Sequence, residues 1–209
     1  MKNRLLKLAS MLLLAAPWLA SAQIGPQPNY FWTRCIASAS NEIAYGIAAA
    51  NDGGVYVGGE FNGEMAIQGQ VLTPRGAADA FLAKFDALGN KVWAQSFGNT
   101  GPDSIVKLAV DTQGNVIAVG SFVTSIALGT NTLTSQGQDS IIFVAKFDSS
   151  GGVLWAKRIF GFGSVFPSGA GVDTNGNVYV SGIGRREIGV DSEVLLPQDG
   201  SLNRIDMFV

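Results

Sequence analysis

A chain of 209 residues with fourteen basic and sixteen acidic side chains, one cysteine and no histidine has several chemistries closed to it from the outset. Triads that use histidine as the base are excluded, a typical zinc site would have a single thiol to draw on, and Cys35 has no partner for an internal disulfide. The formal charge of −2 disfavours a nucleic-acid partner, because such binding relies on basic patches.

The chain opens with Lys2, Arg4 and Lys7, then an apolar run from Leu8 to Leu19, then Ala20-Ser21-Ala22 ahead of Gln23. Positive, apolar and small-x-small in that order is the pattern of a secretory signal peptide, expected over residues 1–22 with cleavage after Ala22. The apolar run falls short of the roughly 20 residues a membrane-spanning helix needs, so no transmembrane segment is expected after cleavage. Export places the mature protein outside the cytoplasm: secreted, periplasmic or on a bacterial cell surface. Cleavage takes fourteen basic residues to eleven against sixteen acids, a net charge of −5. Cys35 follows Trp32-Thr33-Arg34, which is not an apolar lipobox, so no lipid is expected there.

After a linker at 23–29 the rest of the chain repeats itself, and a repeat governs the whole fold. Trp32, Trp93 and Trp155 are spaced by 61 and 62 positions. Val55-Tyr56-Val57-Gly58-Gly59 recurs as Val116-Ile117-Ala118-Val119-Gly120 and Val178-Tyr179-Val180-Ser181-Gly182. Phe81-Leu82-Ala83-Lys84-Phe85-Asp86 returns as Phe143-Val144-Ala145-Lys146-Phe147-Asp148, and Asp206-Met207-Phe208-Val209 begins it a third time. An outer strand at 30–37 is therefore expected, followed by units at about 42–98, 103–161 and 168–209.

Each unit reads as strands. The segments are short, rich in Val, Ile, Phe, Tyr and Trp, and separated by turns such as Asp86-Ala87-Leu88-Gly89-Asn90 and Asp111-Thr112-Gln113-Gly114-Asn115. Glycine gives these turns a positive φ, and an Asp or Asn side chain can bond the turn's own backbone. The middle unit has four main strands, about 105–111, 116–122, 141–148 and 153–160, with an extra hairpin at 126–134. First strands carry small residues (Ala48, Ala49 and Ala50; Ala109; Gly169, Ala170 and Gly171) and outer strands carry the Trp. Small inside and large outside suits sheets packed radially about an axis. The expected fold is all-β: tandem four-stranded antiparallel blades of a β-propeller, about three of them, in an incomplete ring.

The run from Asp79 to Ala94, with Val110-Asp111-Thr112-Gln113-Gly114-Asn115-Val116 after it, resembles the SBBP-type β-propeller repeats of secreted bacterial proteins. The likeness covers nearly all of residues 30–209. It implies a propeller and an extracytoplasmic location but no shared chemistry, and members of that family carry more units than the three found here.

Candidate sites were weighed against plain structural roles. Asp173-Thr174-Asn175-Gly176-Asn177 offers one carboxylate where a calcium loop wants several, and reads as a turn. Asp86 to Trp93 and Asp148 to Trp155 are similar to the tryptophan-docking motif of quinoprotein propellers, but the Thr is absent and the Asp-to-Trp spacing is one shorter. No cofactor and no metal is expected. The three tryptophans share one structural position, which favours packing over a sugar-stacking platform. Arg185, Arg186, Glu187, Glu42 and Asp103 are placed in connecting loops, where propellers build binding surfaces. No catalytic set converges, so the expected function is a binding or scaffold module with a glycan or protein ligand. The alternatives are a propeller lyase or glycosidase working through loop carboxylates, or a quinoprotein-like propeller. Residues 30–37 and 206–209 read as complementary pieces of one blade. The expectation is a segment of a larger propeller or a ring completed by self-association, with Tyr30 to Ala37 beside Phe208 of the same or another copy.

Overall fold

The computed structural model describes residues 32–38, 40–135, 137, 139–161, 163–185, 188–195 and 205–208. The expected signal peptide and linker lie outside them, as do Arg186 and Glu187. The described residues form strands and turns with no helix.

The first blade is a four-stranded antiparallel sheet of β2 (Glu42–Ala49), β3 (Val55–Phe61), β6 (Asp79–Phe85) and β7 (Lys91–Phe97). The second repeats it with β8 (Asp103–Val110), β9 (Val116–Val123), β12 (Ser140–Phe147) and β13 (Val153–Gly161). The third contains β14 (Phe166–Val172), β15 (Val178–Arg185) and β18 (Ile205–Phe208). The register repeats with the sequence. Ala83 lies opposite Val57 and Ala94, and Ala145 lies opposite Ala118 and Ala156. The first strands are innermost: β8 packs against β2 on one side and β14 on the other, a close approach that their small residues allow.

The third strand of each complete blade is nearly all buried, and its sequence shows why. Asp79–Phe85 and Ser140–Phe147 are almost continuous apolar runs rather than alternating ones, as strands covered on both faces should be. One buried cluster runs from Tyr56, Leu82 and Phe97 through Ile105, Ile117 and Phe143 to Val165 and Ile188, and a second, with Phe61, Met65, Phe81 and Phe85, lies on the other side of the first blade toward Trp32. Fully burying each such side chain is worth about 1.5–3 kcal/mol.

Four turns use one device. The Asp86 carboxylate accepts the Leu88 and Asn90 amides at 2.9 and 2.8 Å, and the side-chain amide of Asn90 at 3.0 Å, while Gly89 takes the positive φ of 76°. Asp111, Asp148 and Asp173 hold their turns in the same way. The Asp173 carboxylate is thus committed to its own turn.

Blades are clasped twice. Trp32 and Trp93 each donate an indole N–H to the turn between the third and fourth strands of the next blade, at Ala87 O (3.1 Å) and Ser149 O (3.0 Å). Each ring lies over that turn's glycine; a side chain at Gly89 would collide with the Trp32 ring, and one at Gly151 would meet the Gln95 amide and press on the Trp93 ring. Arg34 and Gln95, two residues on, donate to the carbonyls of the same two glycines.

The second clasp comes from the extra hairpins β4–β5 (Met65–Ile67, Gln70–Leu72), β10–β11 (Ser125–Leu128, Asn131–Thr134) and β16–β17 (Ile188–Val190, Glu193–Leu195). They do more than lengthen the unit. β16 pairs back onto β13 of the preceding blade, making one six-stranded sheet, and β4 pairs with β1 (Ala37–Ser38). Of the strand expected over 30–37, Tyr30 and Phe31 lie outside the described residues, and Ala37–Ser38 is a two-residue strand bonded to the first unit's hairpin. Within the chain, β1 does not lie beside Phe208; β18 pairs with β15.

Candidate functional site

The turn between first and second strands opens with Asp111 in the second blade and Asp173 in the third, but with Ala50 in the first. In the second blade Asp111 has two tasks. It holds the turn, and it accepts Lys146 Nζ at 2.8 Å, with the Asp111 side chain buried and that of Lys146 mostly so. Burial acts to raise its pKa but is outweighed by Lys146, Asn115 and the Gln113 amide, which bring it down to about 2.

Ala50 keeps the backbone of that turn, with bonds Ala50 N to Gly54 O (2.9 Å) and Gly53 N to Ala50 O (3.1 Å), but brings no carboxylate. Lys84, which occupies the place of Lys146, instead reaches Asp52 at 2.6 Å. The two partners differ in exposure: the Lys84 side chain is 7% exposed and that of Asp52 57%.

Beside Ala50 a cleft of about 310 Å³ lies between the first two blades. Ala50, Asn51, Asp52, Tyr56 and Lys84 form one wall, and Gln113, Gly114 and Ser149 the other. Inter-blade hydrogen bonds fix its width: Tyr56 OH donates to Gly114 O at 3.0 Å, and Asn51 Nδ2 to Asp111 O at 3.0 Å and Thr112 O at 3.2 Å. The Tyr56 ring is buried against Trp93 and lies 5.4 Å from Lys84 Nζ. Burial raises the Tyr56 pKa. For Lys84 burial acts to lower it, yet Asp52 and Tyr56 leave it above the ordinary value. The cleft therefore presents a fixed cation, an exposed carboxylate and neutral polar groups. That set can hold a ligand, but neither Lys84 nor Tyr56 is poised to give up a proton near neutrality.

Glu42 and Asp103 do not lie in loops. They open β2 and β8 at the same repeat position, because each starts the strand next to the axis. Asp103 is 1% exposed and is brought beside Asp79, itself fully buried. A methyl on Gly98 would stand 2.6 Å from Asp79 Oδ1 and 2.8 Å from Asp103 Oδ2. Asp79 accepts the Arg75 and Gly76 amides at 3.1 and 3.2 Å, and Asp103 Oδ2 accepts that of Asn99 at 3.1 Å. Asp103 Oδ1 is buried with no hydrogen-bond partner, as is Glu42 Oε1. Burial, then the charge of Asp79, pushes the Asp103 pKa up to about 8 against the pull of the Asn99 amide. One blade on, the equivalent places hold Ile141 and Val165, both buried. The strand entry is otherwise alike, with Asp103 N bonded to Ala78 O and Val165 N to Ser140 O.

Arg185 is the last residue of β15 on the third blade, not a loop residue, and Arg186 and Glu187 lie outside the described residues. The five candidates are thus not shown to share one site. Lys84, Asp52 and Tyr56 escaped the sequence reading; their signal was an alanine where the repeat calls for aspartate.

No protein-family model matches the chain. It is 30% identical over 124 residues to an uncharacterized WD repeat-containing protein, L264, of Acanthamoeba polyphaga mimivirus; the match covers 53% of this chain and 9% of that protein. It is also 30% identical over 146 residues to the regulatory protein FlaEY of Caulobacter vibrioides, covering 66% of this chain and 15% of its relative. The chain thus corresponds to under a sixth of either relative's length.

Proposed function

We propose that this chain is an extracytoplasmic propeller-repeat module of the SBBP type, and that it binds a glycan or protein rather than transforming it. The observation that carries this reading is the inter-blade cleft. It lies at a departure from the repeat, Ala50, and is lined by Lys84, Asp52, Gln113 and Ser149, with its ionisable groups held away from proton transfer. A local rule broken at one of several equivalent positions marks the place where structure gives way to a task. The WD-repeat and regulatory names of the two relatives favour a binding role.

The test is a glycan array run beside a glycan-turnover screen on the exported protein, with N-terminal sequencing of the same sample. Retention of a glycan without product is the expected result, with Gln23 as the first residue. Release of a shortened or unsaturated product would establish an enzyme instead, and retention of Met1 would remove the case for export by a cleaved signal.

A further inference from the structure

We infer that the cleft between the first two blades is an anion site held shut by its own Asp52, and that its ligand is a carboxylate-bearing sugar that takes the place of Asp52 on Lys84. The inference rests on the proposed reading of the cleft as a glycan site and adds the class of ligand.

The argument begins from a charge that must be neutralised. Lys84 Nζ is buried and cationic, and a buried cation needs a partner because the desolvation it has suffered is otherwise uncompensated. The second blade shows how the repeat meets that need. Asp111 is buried and bonded to Gln113 and Asn115 as well as to Lys146, so it cannot leave without dismantling its turn. The first blade meets the need differently. Asp52 is more than half exposed, and apart from Lys84 its carboxylate accepts one hydrogen bond, from Gly54 N at 3.1 Å. It can swing into water at little cost, provided that another anion arrives at Lys84 as it goes. Exchange of carboxylate for carboxylate conserves the local charge.

The choice of ligand follows from the same residues. One lysine balances one negative charge, so a monoanionic carboxylate suits the site better than a phosphate dianion. The remaining lining is polar and uncharged, and Gln113, Asn51 and Ser149 supply amides and a hydroxyl suited to sugar hydroxyls. A cleft of about 310 Å³ lies at the small end of ligand pockets, the scale of one sugar ring with its substituents.

The experiment titrates the exported protein with galacturonate and glucuronate oligomers, with the matching neutral oligomers, and with inorganic phosphate. Asp52→Asn removes the competing charge while keeping an oxygen for the Gly54 amide. It is expected to tighten uronate binding about three- to tenfold, the scale of a partly exposed ion pair, and to leave neutral sugars unaffected. Lys84→Met should abolish uronate binding. Should that variant fail to fold, rising salt on the unaltered protein gives the same information, weakening the uronate complex while sparing any neutral one. Uronate affinity unchanged or lowered in Asp52→Asn, or phosphate bound more tightly than uronate, overturns the inference. Neutral oligomers bound as well as uronates would overturn it while leaving the glycan reading intact. Absence of binding by every sugar to either protein would remove both.

Discussion

Asp103→Asn is expected to make the protein more stable at alkaline pH, although it alters a fully buried residue. In the folded chain Asp103 titrates near 8, and in the unfolded chain near the ordinary 3.8. Between those values the folded state holds a proton that the unfolded state has released. Raising the pH therefore favours unfolding. The stability linked to this group is fully present below about pH 4, declines through the window, and is flat above about pH 8. The slope for one proton is about 1.4 kcal/mol per pH unit, so the loss between pH 4 and pH 7 is at most ~4 kcal/mol. That is a large part of the roughly 5–15 kcal/mol that stabilises a typical domain. Asparagine cannot ionise and keeps an oxygen for the Asn99 amide.

Urea denaturation at half-unit steps from pH 5 to pH 9 is the assay. The unaltered protein should lose stability from pH 5 to about pH 8 and then level off, and Asp103→Asn should show a shallower profile that lies above it at pH 8 and beyond. Asp111 does not confuse the reading. Its folded pKa is lowered to about 2, so its contribution is present above about pH 4 and is lost only as the pH falls toward 2. Parallel profiles for the two proteins, or an Asp103→Asn protein less stable at pH 9, would refute the assignment of a buried proton to Asp103.

Ala50→Asp should convert the first blade to the arrangement of the second: the new carboxylate would cap its turn and pair with Lys84. Calorimetry should then show the thermal midpoint held or raised while any ligand of the cleft is lost. Trp93→Ala removes the indole bond to Ser149 O and the ring over Gly151, and should cost about 3–5 kcal/mol in denaturant titration; a loss below about 1 kcal/mol would show that the docking does not hold the blades together. The apolar side chains left exposed on β2 (Ile43, Tyr45, Ile47) and on the third blade (Phe166, Tyr179, Ile183) should drive association of copies. Sedimentation of the exported protein should be concentration-dependent and revert to monomer with Ile47→Lys, and a single compact monomer at micromolar concentration would contradict this.

Much of the fold was legible because blades repeat. A strand that recurs with the same residues, as Phe81 to Asp86 does at Phe143 to Asp148, is assigned twice and pinned in register by its own copy. Turns were legible for a local reason, since the turn amides that Asp86, Asp111, Asp148 and Asp173 accept all lie within five residues of them. Contacts between units were harder. Nothing in Ile188-Gly189-Val190 says that it bonds the preceding blade's Ile159 to Gly161 rather than its own sheet, because hairpin pairing is local and this pairing is not. Nor does Ala37-Ser38 announce that its bonding partner within the chain is the Met65–Ile67 strand.

The site was hidden for the opposite reason. A search for repeats rewards sameness, and the cleft lies at a difference. Ala50 passes as one of three alanines in a strand, and Lys84 passes as one member of a recurring Ala-Lys-Phe-Asp. Only when Lys146 is seen spending its charge on Asp111 does the lack of an equivalent acid at position 50 become a question, which the exposed Asp52 answers. Asp103 was visible by type but mistaken in environment. A carboxylate beside Pro102 reads as a loop acid in water, whereas the blade stacking that buries it against Asp79 is set by strands 20 to 60 residues distant. Residue type announces which chemistry is available, and in a repeat protein the stacking of one unit on the next decides whether that chemistry is exposed, neutralised or held in reserve.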